Sequence, residues 1–285
     1  MEIVKEAPKL PARPLDGHKG MFGRVLVVGG HEEMIGAPVL AGTAALKMGS
    51  GLVQIAVPKG VLAACLSITP ELIGLGLGKG VNKNRLLSAA EKADAIVIGP
   101  GLGQSPEAAK RLGRLVRLEK PAVVDADGLN LIAALKKWPQ YFRAHAVLTP
   151  HPGEMARLAP LFGQSKVPSD SEGRVRMASD AAKAFGQVIV LKGHETVVAD
   201  GGRVYVNHTG DSSLSKAGAG DVLSGMIGAL LGQKMGGFDA ACLGVWLHGK
   251  AGEMAGERLG RRSVLARDVI ETLPKAIAAA ESNKI

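Results

Sequence analysis

The sequence predicts an α/β protein: a doubly wound, mostly parallel sheet with helices on both faces and a β-hairpin towards the C-terminus. Three observations carry this. Apolar runs recur along the chain and are continuous rather than alternating, as in parallel strands buried on both faces. Stretches of helical length lie between them, giving a β-α alternation. Glycine supplies 39 of 285 residues, about 14% and near twice ordinary usage, which fits tight turns and close backbone approach.

The expected strands are Arg24–Gly29, Leu52–Val57, Ala95–Gly99, Ala122–Asp125, Ala146–Thr149 and Val188–Lys192. The expected helices between them are Gly36–Met48, Pro106–Leu118, Gly128–Lys136 and Glu172–Phe185, with Ser105-Pro106 as N-cap and first-turn pair. Glu195–Ala199 and Arg203–Asn207 flank Asp200-Gly201-Gly202 and read as the hairpin. A Gly/Ser-rich loop, Gly210–Gly220, follows, and three helical stretches run from Asp221 onwards. No linker or second composition regime interrupts the chain, so residues 1–285 read as one domain with residues 1–16 as an irregular lead-in.

Composition narrows the function classes. Aromatic residues are 3% of the chain, against base-stacking platforms for nucleic acid. The formal charge is +9; its densest run, Arg111, Arg114, Arg117 and Lys120, reads as a solvated helix face without a nucleic-acid signature, and the balance suits a polyanionic small substrate. Cys65 and Cys242 lie apart in apolar runs and read as buried hydrophobes of a reducing compartment. Met34, Met48, Met155 and Met226 read as core filler. The polar, Pro-broken start carries no signal-peptide core and no stretch is apolar enough to span a membrane, so a cytoplasmic location is expected.

Ligands of open α/β sheets bind beyond the carboxyl ends of the strands. The loops placed there are Gly99-Pro100-Gly101-Leu102-Gly103, Asp125-Ala126-Asp127-Gly128, Thr149-Pro150-His151-Pro152-Gly153-Glu154 and Lys192-Gly193-His194-Glu195-Thr196, with His18–Gly23 before the first strand. Gly218-Ala219-Gly220-Asp221 stands at a loop-to-helix junction. It reads either as an ordinary glycine turn or as an anion hole with an acid able to take a proton from an attacking hydroxyl. Asp125 and Asp127 read equally as water-mediated Mg²⁺ ligands or as a turn and a helix cap. His151 reads as a cap of the helix beginning at Pro152, with ligand contact as the other reading. No P-loop or dinucleotide fingerprint occurs.

Taken in order, the segments Lys19–Gly30, Gly36–Val53, Ile98–Gly103, Val124–Asn130, Thr149–Leu158 and Lys192–Thr196, with the Gly218–Asp221 corner, resemble the ADP-dependent NAD(P)H-hydrate dehydratases, a branch of the ribokinase-like fold. The resemblance spans Lys19 to about Leu273. The loop Gly210–Asp221 departs from the family pattern at Asp211, Lys216 and Ala219.

The resemblance implies a lyase that repairs hydrated NADH and NADPH. ADP or ATP, with Mg²⁺, phosphorylates the ring hydroxyl and phosphate then leaves. It implies Asp221 as base beside the Gly218, Ala219 and Gly220 hole. It implies an adenine-nucleotide site of Lys192, Gly193, His194, Glu195, Thr196, Asp211, Ser212, Ser213, Leu214, Ser215, Lys216, Ala217 and Gly220. Ala41, Gly101, Gly103, His151 and Asp221 would line the hydrated-cofactor pocket, with no metal ligands assigned. It further implies a homo-oligomer, expected to be a tetramer, and an NAD(P)H-hydrate epimerase on a separate chain; nucleic acid and membrane are not expected partners. The alternatives are a ribokinase-like kinase of a small alcohol, which would leave a phosphorylated product, and a nucleotide binder without turnover.

Overall fold

The computed structural model describes residues 1–78, 83–135 and 142–282. Among them one sheet runs through the molecule, made of β1 (Glu2–Val4), β2 (Arg24–Val28), β3 (Leu52–Pro58), β4 (Ile73–Leu77), β5 (Ala95–Ile98), β6 (Pro121–Val124), β7 (His145–Leu148), β8 (Val188–Leu191), β9 (Thr196–Ala199) and β10 (Arg203–Asn207). The order is β1-β10-β9-β8-β7-β6-β5-β2-β3-β4. Strands β8 to β4 along that order are parallel, and β9 runs against both its neighbours. The order reverses between β2 and β5, and a crevice forms at such a switch point.

The helices are α1 (Gly36–Lys47), α2 (Leu62–Ile68), α3 (Lys83–Lys92), α4 (Pro106–Leu115), α5 (Asp127–Ala134), α6 (Pro152–Leu158), α7 (Ser171–Phe185), α8 (Ala219–Gly232), α9 (Gly237–Leu259) and α10 (Ala266–Glu281). Strand side chains alternate between two cores. Val25, Val27, Ile55 and Val97 face α1, α8, α9 and α10. Leu26, Val28, Ile96 and Ile98 face α4 to α7. Cys65, Cys242, Met48, Met155 and Met226 are buried as expected, whereas Met34 is 47% exposed in the loop after β2.

Contact between α1 and α8 is close because α8 carries glycine where they meet. A Cβ on Gly225 would stand 2.0 Å from the Ala41 carbonyl oxygen of α1, and on the side of α8 facing the sheet one on Gly228 would stand 2.4 Å from Val97 Cγ2 of β5. Helix α9 has a glycine stripe of its own. Cβ atoms on Gly249, Gly252 and Gly256 would lie 2.1, 2.6 and 2.3 Å from Thr209, Leu214 and Ser213, so the Gly210–Gly220 loop is seated in this groove.

Several expectations change. The lead-in is not wholly irregular, since Glu2–Val4 pairs in parallel with β10. Strand β4 and helices α2 and α3 were not foreseen. Helix α4 ends at Leu115, so Arg117 and Lys120 leave the helical face expected to carry them; Lys120 Nζ instead donates to the carbonyls of Glu91 and Ala93. The expected end of the Gly128 helix, Lys136, lies outside the described residues; α5 itself runs Asp127–Ala134. Among the described residues no helix is long and apolar enough to cross a membrane.

Candidate active site

The site is assembled from loops at the carboxyl edge of the sheet. At the switch point the loops after β2 and β5 are zipped together. Gly30 N–H donates to Pro100 O at 2.9 Å, and a Cβ on Gly29 would stand 2.1 Å from that same oxygen. Gly99 (φ +124°) passes the Asp125 backbone so closely that a Cβ would meet its oxygen at 1.8 Å. Only glycine fits there. Gly101 and Gly103 also take positive φ, and Gly103 N–H donates to Asp127 Oδ2 at 2.9 Å.

Between the paired aspartates, Ala126 is held at φ +49° and ψ −120°, a conformation that disfavours any side chain and that the surrounding loops must enforce. It turns the Asp125 carboxylate into the interior. There Lys192 Nζ lies 2.7 Å from Asp125 Oδ1, and Ser224 Oγ donates to Asp125 Oδ2 at 2.5 Å. Glu154, 5% exposed, lies with Oε2 3.8 Å from Lys192 Nζ. Its carboxylate also accepts from His151 N–H at 2.8 Å, and His151 Nδ1 in turn accepts from Gly153 and Glu154 N–H, a reciprocal cap of α6. His151 is thus a cap, with its side chain half exposed and its Nε2 3.5 Å from Glu154 Oε1.

One ammonium therefore serves a group of carboxylates. Burial alone would lower the Lys192 pKa, but Asp125 and Glu154 outweigh it and hold the ammonium firmly protonated. Burial raises the Glu154 carboxyl, and Lys192 only partly opposes this. Asp221, in the first turn of α8, is pushed up to about 7 by burial and by the neighbouring negative charges of Asp125, Glu154 and Asp127 against the pull of Lys192. Such a carboxyl is a far better proton acceptor than an ordinary aspartate. His151 is held below its usual range by burial and by Lys192 and Arg157.

Gly218 (φ +90°) turns the chain into α8, and no side chain caps that helix. Ala219 N–H, one of the two donors expected to form an anion hole, closes a 3.3 Å bond to Lys216 O, while helix geometry leaves the Gly220 and Asp221 N–H groups without internal partners. A Cβ on Gly220 would be 3.2 Å from Lys192 Nζ. The ammonium stands beside the first turn of α8.

A cavity of about 410 Å³ opens on this point, between the loop after β8, the Gly210–Gly220 loop and α9. Lys192, Gly193, His194, Glu195, Thr196, Asp211, Ser212, Leu214, Ser215, Ala219 and Gly220 line it. Ser213 is buried beneath it and Lys216 and Ala217 lie outside the wall. Ala41 is fully buried in the α1–α8 contact, so no side chain of its own reaches a pocket. Asn207, Thr209, Leu223, Val245, His248 and Gly249 also line the cavity and were not foreseen. His248 lies in an apolar helical run, and burial pushes its pKa down to about 4, so its ring is neutral. Glu154 was visible in its motif but had no assigned role; its signal is the three-residue spacing from His151. Ser224, and Arg174 whose Nη2 donates to the Leu191 carbonyl at 3.1 Å beneath the Lys192 loop, carry no such signal.

Both Asp125 oxygens are engaged by Lys192 and Ser224, and Asp127 receives Gly103, Gln104 and Asn130. No group of three or more His, Cys, Asp or Glu residues arranged for a metal occurs among the described residues.

The open, mostly parallel sheet with helices on both faces and its site at the carboxyl edge is the architecture of a ribokinase-like α/β protein. A sequence profile of the NAD(P)H-hydrate dehydratases matches residues 25–275, and the chain belongs to that family. It is 41% identical over 275 residues to the bifunctional NAD(P)H-hydrate repair enzyme Nnr of Moorella thermoacetica, covering 93% of this chain and 51% of that one. It is 38% identical to the ADP-dependent (S)-NAD(P)H-hydrate dehydratase of Neisseria meningitidis, covering 91% and 87%. The structure of the ADP/ATP-dependent NAD(P)H-hydrate dehydratase of Bacillus subtilis, co-crystallised with ATP/Mg²⁺, superposes with a TM-score of 0.81 at 30% identity, covering 95% of each chain. The chain spans about half the length of several curated relatives it matches.

Proposed function

We propose that this protein is an ADP-dependent (S)-NAD(P)H-hydrate dehydratase, a repair lyase for hydrated NADH and NADPH. One observation carries the reading: Asp221, its carboxyl pushed up to about 7, stands in the first turn of α8 within the Lys192, Asp125 and Glu154 cluster, at a cavity that Lys192 and Gly220 line. In this reading the adenine nucleotide occupies the cavity with its phosphates towards Gly220 and Lys192. The hydrated nicotinamide lies towards Gly101, Gly103 and the exposed side of His151. Asp221 accepts the proton of the ring hydroxyl, whose oxygen attacks the terminal phosphorus and displaces AMP. The Gly220 and Asp221 N–H groups and Lys192 hold the charge on the moving phosphoryl group. The ring nitrogen then expels phosphate, and loss of a proton from the adjacent ring carbon restores the dihydronicotinamide, chemistry belonging to the cofactor. Mg²⁺ on the nucleotide would neutralise donor phosphates. A homo-oligomeric, cytoplasmic enzyme working with an epimerase of its substrate is part of the same proposal.

The test is recovery of the dihydronicotinamide absorbance from hydrated NADH with Mg²⁺ and ADP or ATP. Recovery that needs nucleotide and releases inorganic phosphate supports the reading. A stable phosphorylated organic product refutes it in favour of a kinase. Asp221→Asn should lose turnover by at least about 10³-fold while still binding nucleotide.

A further inference from the structure

The cavity proposed to take a polyanion has two carboxylates in its wall, Asp211 and Glu195, the latter accepting from Ser171 Oγ at 2.9 Å. Asp211 lines it, and a naked carboxylate there would repel the phosphates. Arg261, in the turn after α9, lies outside the cavity wall and places Nε 2.5 Å from Asp211 Oδ2. Burial would raise the Asp211 carboxyl, but hydrogen bonds from Ser213 and Arg261 outweigh it and keep the group ionised.

The pair is not needed to anchor the loop. The Thr209–Leu214 segment is already seated on the glycine stripe of α9, and Gly210 N–H donates to Glu253 Oε1 at 2.7 Å. The Asp211 side chain holds the turn through its other oxygen, accepting from Ser213 N–H at 2.8 Å, a capping bond that asparagine makes equally well. Arg261, with its side chain 70% exposed, adds little packing. What it adds is charge.

We infer that Arg261 is a positioning residue for nucleotide affinity: it acts through Asp211, neutralising the one carboxylate that lines the cavity on the Gly210–Gly220 loop so that an adenine nucleotide's phosphates can enter. The inference rests on the nucleotide reading above and adds a determinant outside the cavity.

The experiment is a charge-swap cycle read by calorimetric ADP binding with Mg²⁺ at low and high salt, on the full-length chain. Arg261→Gln keeps a hydrogen-bond donor and removes the charge; it should weaken ADP about tenfold, or about 1.4 kcal/mol, with the deficit shrinking at high salt. Arg261→Lys should bind within about twofold of the wild type. Asp211→Asn should bind severalfold more tightly, and Asp211→Asn with Arg261→Gln should return to the wild-type value. If instead the double variant stays as weak as Arg261→Gln alone, or if Arg261→Gln binds normally, the inference is overturned. A wild type that binds no ADP overturns the nucleotide reading itself, which separates the two failures.

Discussion

Replacing Asp221 by asparagine should stabilise the unliganded protein while destroying turnover. An aspartate whose pKa is ordinarily 3.8 and is pushed up to about 7 in the fold is destabilising whenever ionised. The shift is about three units, each worth about 1.4 kcal/mol, so the ceiling is about 4 kcal/mol. The sign follows from proton binding. Between pH 3.8 and 7 the native state holds a proton that the unfolded chain has released, so wild-type stability falls as pH rises through this window. Asparagine removes that slope. Its gain should be small at pH 4, about 1.5 kcal/mol at pH 5 and close to the ceiling at pH 8. At roughly 2 °C per kcal/mol for a chain of this size, the melting temperature at pH 8 should rise by about 8 °C. Thermal melts of both proteins without nucleotide, from pH 4 to 8, measure this. Equal melting at pH 8, or a gain that does not grow with pH, would refute the argument that burial and like charge poise Asp221.

Three other perturbations follow from the same geometry. Lys192→Met leaves Asp125 and Glu154 without their buried counter-ion, so a loss of about 3–5 kcal/mol is expected by urea unfolding, together with loss of ADP binding. Glu154→Gln removes a negative neighbour of Asp221, so the acid limb of the rate profile, expected near pH 7 in the wild type, should move to lower pH; an unmoved limb would exclude Glu154 as a contributor. Gly225→Ala drives a methyl group into the Ala41 carbonyl at 2.0 Å and should cost about 3 kcal/mol in a melt, since neither helix backbone can yield cheaply.

Legibility in the sequence followed the range of the interactions. Strands β2, β3 and β5 to β8 announce themselves as uninterrupted apolar runs because both faces are covered. Strand β4 is hidden by its glycines: Gly74 and Gly76 stand under Leu62 and Leu66 of α2 where a strand signal would show β-branched residues. Strand β1 is three residues long with an exposed Ile3, and only its pairing with β10 makes it a strand. At the site, Asp221, Lys192 and His151 stand in recognisable motifs. The Ser224–Asp125 bond joins residues 99 apart, and nothing in either local sequence announces it.

That long-range assembly explains why the basicity of Asp221 cannot be read from the Gly218–Asp221 corner. The same corner at an open helix N-terminus would hold an ordinary acid, because helix dipoles favour the ionised form there. What opposes the dipole comes from three other places on the carboxyl edge: Asp125 after β6, Glu154 after β7, and the burial supplied by the closed loops. Lys192 after β8 opposes them in turn, but two carboxylates hold it off, within 2.7 and 3.8 Å of its ammonium. The single cation is shared too widely to neutralise Asp221, yet it stands close enough to Gly220 to meet an incoming phosphate. The carboxylates that keep Lys192 charged are therefore the same ones that keep Asp221 basic, and one buried cluster serves both the anion and the proton of the proposed transfer.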